Sequence, residues 1–166
     1  NYIKIISLDE GIVPFKMWDF QQELIESFHN NRFNIAKLPR QTGKSTTCVS
    51  YLLHYILFND NVNVGILANK LSTARDLLGR LQLAYEQLPM WLQQGIVVYN
   101  KGSMELENGS KILAASTSAS AVRGMSFNII FLDEFAFIPN HIAEQFFSSV
   151  YPCLLYTSDA ADDDVR

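Results

Sequence analysis

The sequence predicts an α/β fold with a mostly parallel central sheet flanked by helices, plus an antiparallel hairpin as an excursion from it. Three features of the 166-residue chain support this prediction. Positions 38–46 read Leu-Pro-Arg-Gln-Thr-Gly-Lys-Ser-Thr, a glycine-containing loop that leads into a helical pattern. Apolar runs then alternate with amphipathic stretches, and about ninety residues further on an apolar run at 129–132 ends in Asp133 and Glu134. Such alternation is typical of parallel strands joined by crossover helices.

The elements around the loop follow from the spacing of apolar residues. A helix is expected to open at 18–22, and 33–38 is expected to form a short strand leading into the loop. The next helix is predicted from Lys44 to about Phe58, because apolar residues recur there at helical spacing. These residues are Val49, Leu52, Leu53, Ile56 and Leu57.

The rest of the chain continues the alternation up to residue 150. We expect a strand at 62–68 and then an amphipathic helix over 71–88, which Pro89 helps to end. Short strands are expected at 96–99 and within 104–113, where Asn108-Gly109 forms a turn. A polar loop at 116–120, the buried strand 129–132 and a helix at 142–150 complete the order. Trp91 and the phenylalanines are expected in the core.

Composition and charge limit the classes of protein that the chain can belong to. At 48% apolar and 18% charged residues it is expected to build a substantial core as one globular domain. The net charge is −4, but residues 1–152 carry twelve bases and thirteen acids, a net charge of −1. A broad basic surface for gripping nucleic acid is therefore not expected.

The boundaries of the domain are read from a change in composition near the end of the chain. Residues 1–152 are expected to form the domain, whereas 153–166 is acidic and lacks an apolar period. This tail is interpreted as foreign sequence at the end of a fragment, with a natural acidic loop as the alternative. The two cysteines do not make a disulfide framework, which favours a reducing intracellular setting. No apolar run approaches the roughly 18 residues that are needed to span a bilayer.

The loop and the Asp-Glu strand together predict a nucleoside triphosphate site. Gly43 permits a tight turn, successive loop N–H groups face an anion, and Lys44 neutralises the β- and γ-phosphates. Ser45 and Asp133 are the expected Mg²⁺ ligands, and Glu134 is expected to orient or deprotonate the attacking water. The predicted nucleotide contacts in the loop are Arg40, Gln41, Thr42, Gly43, Lys44, Ser45 and Thr46.

Several of these residues also have ordinary structural interpretations. Gly-Lys-Ser alone also opens unremarkable helices, and it is the pairing with the Asp-Glu strand that favours a site. Arg40 either stabilises charge on the γ-phosphate or braces the turn, and Arg123 either senses nucleotide or is a surface arginine. Gln21 offers an amide that can recognise the edge of adenine while an aromatic ring stacks on the base.

Further segments extend the pattern beyond the two motifs. They are Ala68-Asn69-Lys70, 99–103 (Tyr-Asn-Lys-Gly-Ser), Asn108-Gly109-Ser110 and 121–124 (Ala-Val-Arg-Gly). With them, roughly residues 14–152 resemble the ATPase domain of the large terminase subunit of tailed, contractile-tail bacteriophages. The resemblance implies a P-loop fold using ATP and Mg²⁺, adenine recognition by Phe20 and Gln21, Arg40 acting in cis, and Glu134 as the catalytic carboxylate.

For the whole protein, the resemblance implies a motor that translocates double-stranded DNA into a capsid. Such subunits form a ring, dock on the portal protein of the procapsid in the host-cell cytoplasm, and work with a small terminase subunit, away from any membrane. A coupling motif and a C-terminal nuclease domain are expected to lie outside this chain.

Two other functions fit the same motifs. A helicase-like translocase shares the loop and the Asp-Glu strand, but there the acids are normally followed by Ala/Cys-His/Asp, whereas Glu134 precedes Phe-Ala-Phe. A non-catalytic scaffold would bind ATP to order an oligomer without hydrolysing it.

Overall fold

The computed structural model describes residues 2–7, 11–39, 41–117 and 125–134, together with Glu144 and Ser148. In chain order its elements are β1 (Lys4–Ser7), β2 (Gly11–Pro14), α1 (Asp19–Asn30), α2 (Lys44–Phe58), β3 (Asn63–Ala68), α3 (Leu71–Glu86), β4 (Ile96–Tyr99), β5 (Ser103–Leu106), β6 (Lys111–Ser116) and β7 (Ile129–Asp133). None of the described helices is long and apolar enough to cross a membrane. Glu144 and Ser148, which fall in the predicted third helix, are helical.

A five-stranded sheet with the order β4-β5-β6-β3-β7 forms the centre of the fold, which confirms the predicted α/β class. β3 pairs in parallel with β6 on one side and with β7 on the other. β5 lies between β4 and β6 and pairs antiparallel with both. Ala68 is level with both Ser116 and Asp133. The carboxyl ends of the three parallel strands therefore meet at one edge, where open α/β sheets bind ligands.

The main core lies where α2 and α3 pack together and against one face of the sheet. Leu53, Ile56 and Leu78 are fully buried there, as the helical spacing of apolar residues requires. A smaller cluster on the other face contains Leu67, Ala115 and Phe127. α2 is thus held firmly at its apolar stripe, and its first turn begins at the carboxyl edge of the sheet.

The Asn108-Gly109 turn joins β5 to β6 as predicted, and it also binds the end of α2. The Asn108 side-chain amide donates to the carbonyl oxygens of Ile56 at 2.9 Å and Asn59 at 3.2 Å. The hydroxyl of buried Ser110 donates to the same Asn59 oxygen at 2.6 Å. These bonds satisfy carbonyl groups that a helix end otherwise leaves without partners.

Replacing Asn108 by alanine is expected to lower the free energy of unfolding by about 1–3 kcal/mol, because carbonyl groups at the end of α2 lose their donor. Urea denaturation followed by circular dichroism measures this change. Lys111→Ala is the matched control in the same hairpin, since its exposed ion pair with Glu105 is worth less than about 1 kcal/mol. Equal effects of the two substitutions would contradict the capping role of Asn108.

The expected strand at 33–38 is wrong, since these residues have no regular secondary structure. Side-chain hydrogen bonds tie the segment to the end of α1 instead: Ser27 Oγ donates to Asn34 Oδ1 at 2.6 Å, and Asn34 Nδ2 donates to the Asn31 carbonyl at 2.8 Å. Local bonds of this kind compete with strand pairing. Ile35 is fully exposed as a result.

Two expectations about burial are also wrong. β7 is half-buried rather than fully buried, because among the described strands it lies at an edge of the sheet with β3 as its neighbour. Trp91 is 69% exposed on a short 3₁₀ turn, where its ring packs edge-on against Tyr2 at 5.1 Å. Phe58 ends α2 and is also exposed, beside the ring of His54.

Candidate functional site

The loop before α2 has the backbone geometry of an anion-binding turn. Gly43 is the N-cap residue of α2 in the left-handed conformation, with φ 72° and ψ 15°. Residues other than glycine rarely adopt this conformation, yet Gln41 also has a φ of 64°. Thr42, between them, donates from its hydroxyl to the Pro39 carbonyl at 3.0 Å, which closes the turn.

The first turn of α2 presents N–H donors that lack an intrahelical acceptor at this loop. The earliest bond of the helix runs from the Thr47 N–H to the Gly43 carbonyl at 2.9 Å, and no side chain caps the N-terminus. The N–H groups of the first turn therefore have no intrahelical acceptor, and they coincide with the positive end of the helix dipole. Lys44 adds its ammonium group here, and Ser45 and Thr46 are half-buried in the same turn. This donor set suits a phosphate chain.

Buried Cys48, one turn into α2, connects the two halves of the site. Burial raises the pKa of its thiol to about 12; the negative charge of Asp133 raises it too, and the positive charge of Lys44 lowers it. Both charges therefore lie close enough to act on the same sulfur atom. Lys44 and Asp133, 89 positions apart in sequence, therefore both lie near the Cys48 thiol.

Asp133 and Glu134 end β7 in an unusual backbone conformation. The Glu134 N–H donates to Asp133 Oδ1 at 3.1 Å, and Glu134 has a φ of 54°. A left-handed non-glycine residue costs on the order of 1–3 kcal/mol, and such strain is concentrated at functional sites. Glu134 is exposed, and Asp133 is half-buried with a carboxylate of the kind that Mg²⁺ prefers. The residues present therefore fit a nucleotide with its metal ion.

The start of α1 lies against the loop from another side. Buried Gln21 donates from Nε2 to the Thr42 carbonyl at 3.1 Å. Beside it the rings of Trp18 and Phe20 meet edge to face, with centroids 5.9 Å apart, and Trp18 is 69% exposed. Exposed Trp18 and half-buried Phe20 together provide an aromatic surface on which a base can stack.

The structure brings together most of the residues that the sequence singled out. Phe20, Gln21, the loop residues from Gln41 to Thr46, Asp133 and Glu134 belong to elements that converge on one edge of the sheet. Arg40 and Arg123 lie outside the described residues. Sequence reasoning missed the bond from Gln21 to the loop. The available signal was the position of Gln21, three residues after the helix N-cap Trp18. A glutamine there often accepts a hydrogen bond from the N-cap N–H, as Gln21 Oε1 does from Trp18.

Solved structures with the same fold include the ATPase domain of the large terminase of Thermus phage P74-26. This domain superposes with a TM-score of 0.71 and 18% sequence identity, over 86% of this chain and 62% of that one. An arginine-to-alanine mutant of the same domain matches with a TM-score of 0.72, the same identity and the same coverage. This chain thus spans less than two thirds of the length of those structures.

The family comparison is more specific than the likeness of fold. Residues 35–149 fit the family model described as "Terminase large subunit, T4likevirus-type, N-terminal". The matched segment contains the loop, α2, the complete five-stranded sheet and the Asp-Glu end of β7. Because it covers more than half of the sequence, this chain belongs to the T4likevirus-type family of large terminase subunits and represents their N-terminal region.

Proposed function

We propose that this chain binds and hydrolyses ATP as the motor domain of a DNA-packaging terminase. The observation that carries this proposal is the uncapped N-terminus of α2, which begins with Lys44 behind left-handed Gly43, together with Asp133 at the carboxyl end of β7. Phosphoryl transfer chiefly requires positioned positive charge and one acceptor for the nucleophile, and this edge of the sheet supplies both. Family membership supports the same activity.

The proposed phosphate contacts come from the loop and the first turn of α2. The N–H groups from Gln41 to Thr46 would hold the phosphate oxygens, and Lys44 would neutralise the β- and γ-phosphates. Ser45 and Asp133 would hold Mg²⁺, whose charge withdraws electron density from the phosphates when it is bound. Arg40, within the loop, is proposed to stabilise charge on the γ-phosphate.

Glu134 is proposed to orient or deprotonate the attacking water. Its carboxylate is exposed and one residue beyond Asp133, and the left-handed backbone at Glu134 turns the chain at the end of β7. Phe20, at the start of α1, is proposed to contact adenine, and Arg123 to sense the bound nucleotide. The Trp18–Phe20 pair beside the loop supports a base-stacking position at the start of α1.

For the whole subunit, we propose that hydrolysis drives double-stranded DNA into a capsid. The partners of such a motor would be the DNA, the portal protein of the procapsid, a small terminase subunit and further copies of this subunit in a ring, all in the host-cell cytoplasm. Because the chain spans 62% of the matched ATPase domain, these properties concern the longer protein.

Phosphate release by this chain with Mg·ATP, with and without linear duplex DNA, tests the proposal. A packaging-type ATPase is expected to release phosphate and to leave a forked duplex base-paired. Strand separation of the fork would favour the helicase-like alternative. Saturable ATP binding without phosphate release would favour the non-catalytic scaffold.

A further inference from the structure

The side chain of Gln21 is placed to act on the phosphate-binding loop itself. Gln21 is 5% exposed, in the first turn of α1. Its Oε1 accepts from the Trp18 N–H at 3.0 Å, and its Nε2 donates to the Thr42 carbonyl at 3.1 Å. Both ends of the amide are therefore engaged by the protein itself.

The Thr42 carbonyl belongs to the peptide bond whose nitrogen is that of Gly43. A trans peptide is planar, so its C=O and N–H point in opposite directions. With the carbonyl held toward Gln21, the Gly43 N–H points away from α1. That N–H is among the loop donors proposed to face the phosphates.

This peptide also lies in the most strained part of the loop. Left-handed residues, Gln41 with φ 64° and Gly43 with φ 72°, flank Thr42, and the non-glycine one costs on the order of 1–3 kcal/mol. Such a conformation persists only when surrounding contacts hold it. The fit of Gln21 is close, since a Cβ atom on Gly43 would come within 2.8 Å of Nε2.

We propose that Gln21 is a positioning residue that holds the Thr42–Gly43 peptide in its phosphate-binding orientation, rather than a reader of adenine. Affinity for the triphosphate then depends on Gln21 whatever base is attached. The base then stacks on the aromatic pair of Trp18 and Phe20, which tolerates any base because each base has a π-face. This inference rests on the proposed nucleotide-binding function.

Isothermal titration with Mg·ATP, Mg·GTP and inorganic tripolyphosphate separates the two roles of Gln21. Gln21→Met keeps the length of the side chain and removes both hydrogen bonds, and exposed Gln22→Met is the matched control on the next residue of α1. Gln21→Met is expected to weaken all three ligands by a similar factor of about five to ten, equivalent to one lost hydrogen bond. The ratio of ATP to GTP affinity should stay constant.

A fall in the ATP-to-GTP ratio with unchanged tripolyphosphate affinity would overturn the proposal and make Gln21 an adenine reader. Unchanged affinity for all three ligands would also overturn it. If Gln21→Met does not fold, Gln21→Asn is expected to give the same pattern, because its amide is one methylene group too short to reach both partners. If the unaltered chain binds none of the ligands, the proposed function fails; a changed base ratio alone leaves that function intact.

Discussion

Replacing Lys44 by alanine is expected to weaken binding of Mg·ATP by roughly 10- to 100-fold, the effect of losing a charge-assisted hydrogen bond. Lys44 begins α2 next to Gly43, and its charge acts on the same buried thiol as that of Asp133. Its removal takes away the mobile positive charge and leaves the N–H groups of the helix to bind the phosphates alone. Isothermal titration at fixed Mg²⁺ and salt measures the change.

Lys111→Ala is a suitable control for the loss of one positive charge. Lys111 begins β6, at the opposite edge of the sheet from the loop, and its side chain is half exposed in an ion pair with Glu105. Its removal should leave nucleotide affinity unchanged. An unaltered affinity in Lys44→Ala as well would show that the loop is not the nucleotide site. Thermal unfolding of each variant verifies that both remain folded.

Replacing Glu134 by glutamine is expected to reduce the rate of ATP hydrolysis by about 10²–10⁴-fold, with ATP affinity largely retained. The amide matches the carboxylate in size but does not accept a proton from water. Because Glu134 is exposed, the substitution should leave the fold unaffected. Phosphate release under saturating Mg·ATP measures the rate, and titration measures the affinity.

The split between rate and affinity is what identifies a catalytic role for Glu134. Glu23→Gln, at an exposed position on α1, provides the control for a lost carboxylate on another element. Hydrolysis at the rate of the unaltered chain in Glu134→Gln would remove the catalytic assignment and favour a nucleotide-binding scaffold. Loss of binding instead of rate would place Glu134 among the residues that hold the nucleotide and its metal ion.

Much of the fold was predictable because local periodicity determines local structure. The helix from Lys44 to Phe58 has the predicted bounds, and β3 and α3 lie within a residue or two of the expected ranges. The Asn108-Gly109 hairpin formed as expected, since its turn residues suit left-handed backbone. The loop motif and the Asp-Glu strand likewise identified the edge of the sheet that carries the candidate site.

The wrong predictions have two origins. Some depend on contacts with residues that are distant in sequence, and others on local hydrogen bonds that compete with the expected structure. Residues 33–38 have strand-like composition, but a strand also needs a neighbour, and Asn34 is bonded to the end of α1 instead. β7 is apolar from Ile129 to Leu132, yet its burial depends on which strands flank it in the sheet. The composition of a segment does not tell which residues it will bond to or which strands will flank it.

The sequence by itself therefore determined the class of fold, the succession of elements and the chemical types at the site, because each depends on residues close together in the chain. Only the tertiary structure decided that β3 lies between β6 and β7, which brings Asp133 level with Ala68. It alone joined Gln21 to Thr42, across 21 positions of sequence. Contacts of this kind are selected by how helices and sheet pack as a whole, and no local pattern of residues encodes that packing.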